Sequence, residues 1–211
     1  MAYEVFTQNG YGLDEIISAL QKDIRRGNEE QALYWVLELL PRFEAYLWRR
    51  LLVISNEDIG IANPDLLVQV QVLRAQYFEF REEGKDGTCR LILANAILLM
   101  CRSPKARIAD HFQRVVTQGW MEAKASGAKR PIPDYALDKH TVRGKRMGRG
   151  FAQWVDEGCK LANPGEVADP YAERAQALWR EGKNDAPVWG KRAKRGGDAE
   201  QLDLFGAGEA D

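Results

Sequence analysis

Leu13-Asp14-Glu15-Ile16-Ile17-Ser18-Ala19-Leu20-Gln21-Lys22-Asp23-Ile24-Arg25-Arg26-Gly27 decides the fold class. Leu13, Ile16, Ile17, Leu20 and Ile24 recur at steps of three and four, the spacing that lines one face of an α-helix, and Gly27 supplies a stop. The same period continues outward. Asn28 followed by Gln31 reads as a capping box opening a second helix, which Pro41 ends. A third helix is expected over residues 42–55, with Phe43, Leu47, Leu51 and Ile54 on its apolar side. Asn63-Pro64 reads as a cap with proline at the first helical position. The helix it opens turns Leu66, Leu67, Val70, Leu73, Tyr77 and Phe78 inward and ends near Gly84. Residues 91–100 form a strongly apolar helix expected at the centre of the core, and Ser103-Pro104 opens the next.

Beyond Gly119 the periodic signal weakens, and Gly127 with Pro131-Ile132-Pro133 marks a break in regular structure. Shorter helices are expected over 146–161 and 170–180, the latter capped by Asp169. No strand alternation or internal repeat is evident, so the chain reads as all-α. Three segments are expected: a multi-helix domain at 1–133, a basic glycine-containing segment with short helices at 134–182, and a disordered tail at 183–211.

The 211 residues carry a formal net charge of -1, which argues against a globally basic nucleic-acid binder. The charge is uneven. Lys124, Lys129, Arg130, Lys139, Arg143, Lys145, Arg146 and Arg149 are opposed only by Asp134 and Asp138 over residues 124–149. Such a local excess suits phosphate contact and equally suits a solvated loop. Cys89, Cys101 and Cys159 show no CxxC spacing and fit a reducing cytoplasm. Neither His111 nor His140 lies near a cysteine in sequence, so no metal is expected; nor is a cofactor. No apolar run approaches membrane-spanning length, and a cytoplasmic protein, nucleoid-associated when on DNA, is expected.

Gln201-Leu202-Asp203-Leu204-Phe205 resembles, at all five positions, the peptide by which bacterial proteins dock on the DNA polymerase sliding clamp (beta). Average residue usage gives such a match by accident in roughly one in a few thousand chains of this length. Residues 190–198 upstream hold almost nothing apolar and read as a solvated tether. Leu202, Leu204 and Phe205 would then enter a pocket on the clamp, while Gln201, both donor and acceptor, sets the register. The alternative is a segment that packs Leu204 and Phe205 back on its own domain.

A second resemblance rests on Ile24-Arg25-Arg26-Gly27-Asn28, Ala32-Leu33-Tyr34-Trp35, Arg49-Arg50-Leu51 and, most specifically, Ser55-Asn56-Glu57-Asp58-Ile59-Gly60-Ile61-Ala62-Asn63-Pro64. Their order and spacing resemble the C-terminal helical domain of the RarA (MgsA) family of clamp-loader-like AAA+ ATPases. The likeness covers residues 13–133, with Cys101-Arg102-Ser103-Pro104-Lys105 as a weaker second block, the Pro131/Pro133 segment as a third, and no counterpart seen beyond Pro133. It implies an all-α oligomerisation domain of an ATPase that acts at stalled replication forks, hence a homo-oligomer or a RarA-type ATPase as partner. Gly-x-x-x-x-Gly-Lys-Ser/Thr occurs nowhere: Gly84-Lys85, Gly144-Lys145, Gly182-Lys183 and Gly190-Lys191 all lack the following hydroxyl. Without that phosphate cradle ATPase activity is not carried over.

Of the remaining constellations, Glu57 and Asp58 read as structural, capping the next helix or pairing with Arg49 or Arg50. Tyr34, Trp35, Tyr46 and Trp48 read as core or interface aromatics rather than base-stacking ones. Lys139, His140, Thr141, Arg143, Lys145, Arg146 and Arg149 are the candidate DNA or phosphate contacts, among glycines that permit close backbone approach. No residue is assigned a catalytic role. The expected function is that of a non-enzymatic replication or repair accessory on the sliding clamp. One alternative is a mobile-element or phage modulator that competes for the clamp or for a host RarA. Another is a nucleic-acid-processing enzyme using Asp134, Asp138, His140 and Arg143.

Overall fold

The computed structural model describes residues 5–182, which divide into two compact units, Met1–Lys129 and Arg130–Asp211. The expected disorder of the tail concerns residues outside those described. Among the described residues the secondary structure is helical throughout, apart from an isolated antiparallel bridge between Phe6 and Gly12. The fold is all-α, as the periodicity predicts.

The first unit contains α1 (Leu13–Arg26), α2 (Glu29–Glu38), α3 (Glu44–Ile54), α4 (Pro64–Glu82), α5 (Asp86–Arg102) and α6 (Ile108–Ser126). One apolar core collects Ile16, Leu20 and Ile24 of α1, Ala32 and Val36 of α2, and Leu47, Trp48, Leu51 and Ile54 of α3. It is completed by Leu66, Val70 and Tyr77 of α4, and Leu93, Ala96, Ile97 and Met100 of α5. Trp48 and Tyr77 are fully buried against each other, ring centroids 5.4 Å apart, so Trp48 is core as expected. α5 is central, but Leu91 and Leu99 are exposed; the run of apolar letters there exceeds what one buried face takes up.

Several expected helix boundaries shift. Asn28 makes no side-chain cap; its amide donates instead to the Asp23 carboxylate at 2.9 Å. α2 ends at Glu38, and a turn holding the cis Leu40–Pro41 bond leads to α3. Asn63 likewise caps nothing and donates to Ser103 Oγ at 3.0 Å, although Pro64 does occupy the first turn. Ser103-Pro104 does not open α6, which starts four residues later at Ile108. The intervening residues form a strap. Lys105 Nζ donates to the carbonyls of Met100, Cys101 and Ser103, sealing the end of α5. The Ala106 N–H donates to the Asp58 carbonyl at 2.9 Å. α6 then passes Gly119 unbroken and stops at Gly127, whose φ of 72° is left-handed.

Glu57 and Asp58 are structural, but their partners differ from those expected. A π-helical turn, Ser55–Ile59, continues α3 and buries Asp58 completely. Its carboxylate accepts from Arg25 Nε at 2.8 Å, Arg25 Nη2 at 3.2 Å and Gln21 Nε2 at 3.1 Å. Glu57 pairs with Arg25 and with Arg107 at 3.3 Å. Arg50 reaches this junction indirectly, donating to Gln21 Oε1 at 2.9 Å. The Ser55-to-Pro64 block therefore ties α1, the end of α3 and the start of α6 through charge-assisted hydrogen bonds.

The second unit holds a 3₁₀ turn Asp134–Ala136, α7 (Val142–Arg146), α8 (Phe151–Gln153) running into a π turn Trp154–Gly158, and α9 (Ala172–Arg180). Asp169 accepts the Tyr171 N–H at 3.0 Å in the turn before α9 rather than capping the helix itself. Leu137 and Val155 are its buried aliphatics. Its packing is otherwise aromatic: Trp154 meets Trp179 at 5.1 Å, His140 at 5.4 Å and Phe151 at 6.2 Å between centroids, all edge-on.

Candidate functional site

The basic segment is built on a short polar scaffold. Thr141 caps α7: its Oγ1 accepts the Gly144 N–H at 2.9 Å and donates to the Asp138 carbonyl at 3.0 Å. Asp138 accepts the His140 backbone N–H at 2.9 Å, and its other oxygen meets His140 Nδ1 at 3.0 Å. The His140 ring, then its N–H, hold the Asp138 carboxyl below the usual carboxylate range. Lys139 lays its ammonium over the Phe151 ring. Arg149 is bound most tightly. Its Nη1 donates to the carbonyls of Asp134 at 2.6 Å and Leu137 at 2.9 Å, and its Nη2 to the Asp134 carboxylate at 2.6 Å.

The seven candidate phosphate contacts thus separate into two sets. Lys139, His140, Thr141 and Arg149 are engaged inside the fold of their own unit. Arg143, Lys145 and Arg146 lie exposed on one turn of α7, and their side chains make no hydrogen bond or ion pair among the described residues. Three solvated cations on a five-residue helix are what a phosphate backbone can reach without first breaking an internal pair. Asp134 and Asp138, the acidic groups an enzyme here would need, are occupied by Arg149 and His140. No three His, Cys, Asp or Glu side chains gather at a metal-holding distance among the described residues, and no described helix is long and apolar enough to cross a membrane.

Gln201, Leu202, Asp203, Leu204 and Phe205 lie outside the described residues. The thiols of Cys89 and Cys101 are buried, and burial pushes Cys101 up to about 11, so it stays protonated at neutral pH. Sequence reasoning passed over one feature: the outward apolar side of α6, made of Ile108, Phe112, Val115, Val116 and Trp120. Its signal is the familiar three-and-four spacing, here without any buried residue to absorb it.

Fold and site define an all-helical module with a buried carboxylate–arginine junction, and a small second unit that exposes three cations on one short helix. Its sequence matches the family described as MgsA AAA+ ATPase C terminal over residues 27–157. The chain belongs to that family. The match continues through the 3₁₀ turn, α7 and α8, which corrects the expectation that the likeness stops at Pro133. Among its relatives, the Replication-associated recombination protein A of Bacillus subtilis is 31% identical over 138 residues, 65% of this chain and 31% of that protein. The protein of the same name from Escherichia coli K12 is 30% identical over 150 residues, 69% of this chain and 31% of the relative. The ATPase WRNIP1 of Dictyostelium discoideum is 28% identical over 151 residues, 69% of this chain and 16% of the relative. The chain therefore spans about a third or less of the length of these relatives.

Proposed function

We propose that this chain is a non-enzymatic accessory of DNA replication and recombination, working in the cytoplasm at the nucleoid. It docks on the polymerase sliding clamp through Gln201, Leu202, Asp203, Leu204 and Phe205 and rests Arg143, Lys145 and Arg146 on DNA phosphates. The family's helical framework runs over residues 27–157, and α7 within it carries the cations. The five-position match at 201–205 is the observation that carries this reading. Relatives named for replication-associated recombination support its setting, and the exposed cations on α7 support the DNA contact.

A second reading is supported by the helical domain that this chain shares with the AAA+ family. In it the chain modulates a RarA-type ATPase by mixing into its assembly or competing for the clamp.

The test is binding of the intact protein to a bacterial sliding clamp, beside a version truncated after Ala199 and a Leu204→Ala/Phe205→Ala variant. Binding by the intact chain, abolished in both altered forms with helical content unchanged, is the expected result. Absence of binding by the intact chain overturns the clamp assignment. Binding of primed DNA together with the clamp favours the accessory; binding of clamp or RarA without DNA favours the modulator.

A further inference from the structure

The loop that leads into α1 closes on its own residues. The Thr7 N–H donates to the Tyr11 carbonyl at 2.9 Å, and the Tyr11 N–H to Thr7 Oγ1 at 3.3 Å. Asn9-Gly10 turns the chain between them, with Gly10 at φ 83°, the left-handed conformation that an Asn-Gly pair supplies to tight turns. A carboxylate of α2 holds this turn down. Glu38, the last residue of that helix, is 9% exposed. Its oxygens accept from Asn9 Nδ2 at 2.5 Å and from Thr7 Oγ1 at 3.2 Å, with the Tyr34 hydroxyl beside them. Of these partners, Asn9 alone carries a group that its own backbone can expel.

Asn9-Gly10 is the one Asn-Gly pair in the sequence. Asparagine is thermolabile because the amide nitrogen of the next residue can attack its side-chain carbonyl carbon, and glycine, lacking Cβ, leaves that approach open. Nothing lies within 4 Å of where a Cβ would sit at Gly10, and Asn9 is exposed. While the loop is docked both reactants are engaged, Asn9 Nδ2 on Glu38 and the Gly10 N–H on the Thr7 carbonyl at 3.1 Å. The reaction therefore runs through the undocked loop, at a rate set by the fraction of time the loop is open. We propose that Asn9 is a self-modification site whose deamidation irreversibly unlatches this loop from α2. Gly10 N bonds to Asn9 Cγ as the Cγ–Nδ2 bond breaks; the Gly10 amide proton leaves with Nδ2 as ammonia, and a five-membered cyclic imide remains. Water then opens the ring at either carbonyl to give aspartate or isoaspartate, with nothing oxidised or reduced. Either product carries a carboxylate in place of the amide. Two carboxylates that close do not both ionise without cost, and a donor to Glu38 has become a second acceptor, so the loop lifts away. The latch uses none of residues 201–205 and does not depend on clamp docking.

The test incubates the full chain at mildly alkaline pH and maps its peptides by mass spectrometry over time. Asn9 is expected to convert before Asn28, Asn56, Asn63 and Asn95, and to convert faster in Glu38→Gln, which weakens the acceptor and opens the latch. Amide hydrogen exchange reads the loop itself. The Thr7 and Leu13 amides donate to the Tyr11 and Val5 carbonyls; in Asn9→Asp they are expected to exchange about tenfold faster. Asn9→Asp/Glu38→Gln again sets one amide donor against one carboxylate and should return exchange toward the parent rate, a rescue that a loop held by its shape alone would not show. An Asn9 that persists in the folded chain while converting in urea would overturn the proposal. So would an Asn9→Asp loop that exchanges at the parent rate.

Discussion

A β-carbon added at residue 144 would sit 1.9 Å from the Asp138 carbonyl oxygen and 2.6 Å from that of Leu137. Both are backbone atoms already committed to the Thr141 and Arg149 hydrogen bonds, so neither can yield cheaply. Gly144→Ala is expected to destabilise the second unit by about 3 kcal/mol, read from the urea midpoint of Trp154 and Trp179 fluorescence. Gly150→Ala, with nothing within 4 Å of the new atom, is the control and should fall within about 0.5 kcal/mol of the parent. Equal midpoints for the two variants would mean the turn is looser than its geometry indicates. The sequence did announce a close backbone approach at Gly144, but not to what. A glycine that admits a phosphate and one that admits a carbonyl look alike as letters. The same holds for Thr141, whose hydroxyl was a candidate phosphate donor and is spent on a helix cap.

At the scale of elements, strongly periodic stretches were legible because burial alone specifies them. Leu20 and Ile24 of α1, and Leu47 and Leu51 of α3, are fully buried as their spacing predicts. Caps were not. Asn28 and Asn63 have the right residue type and position, yet a carboxylate and a hydroxyl brought close by the fold compete successfully for their amides. The Asp58 junction was legible as structural but not in its partners, since Arg25 and Arg107 come from elements 33 and 49 residues away in the chain. Asp58→Ala removes the acceptor for Arg25 and Gln21 and is expected to cost roughly 2–3 kcal/mol, the guanidinium being one-third exposed and partly rehydrated. Thermal unfolding followed by circular dichroism measures it. A loss below about 0.5 kcal/mol would mean that Glu57 alone holds the three elements together.

For the whole molecule, the decisive question is whether its cations meet DNA or merely water. Arg143, Lys145 and Arg146 replaced together by alanine should lower the slope of log affinity against log salt by about 3, roughly one for each phosphate no longer neutralised. Arg149→Ala should instead lower stability while leaving that slope alone, because its donors face carbonyls and a carboxylate. The opposite pattern would exchange the roles of the two sets. Family membership was legible from the Ser55-to-Pro64 block, while the family's extension to residue 157 was not. The second unit is small, its aromatic packing spans irregular loops, and no period marks it.

The strap between α5 and α6 is anchored at both ends by backbone and lysine hydrogen bonds, whereas the helix it launches contributes no buried side chain. The apolar core and the exposed apolar side of α6 therefore rest on different residues of the same chain. Substitutions on the exposed side of α6 leave the buried core residues untouched.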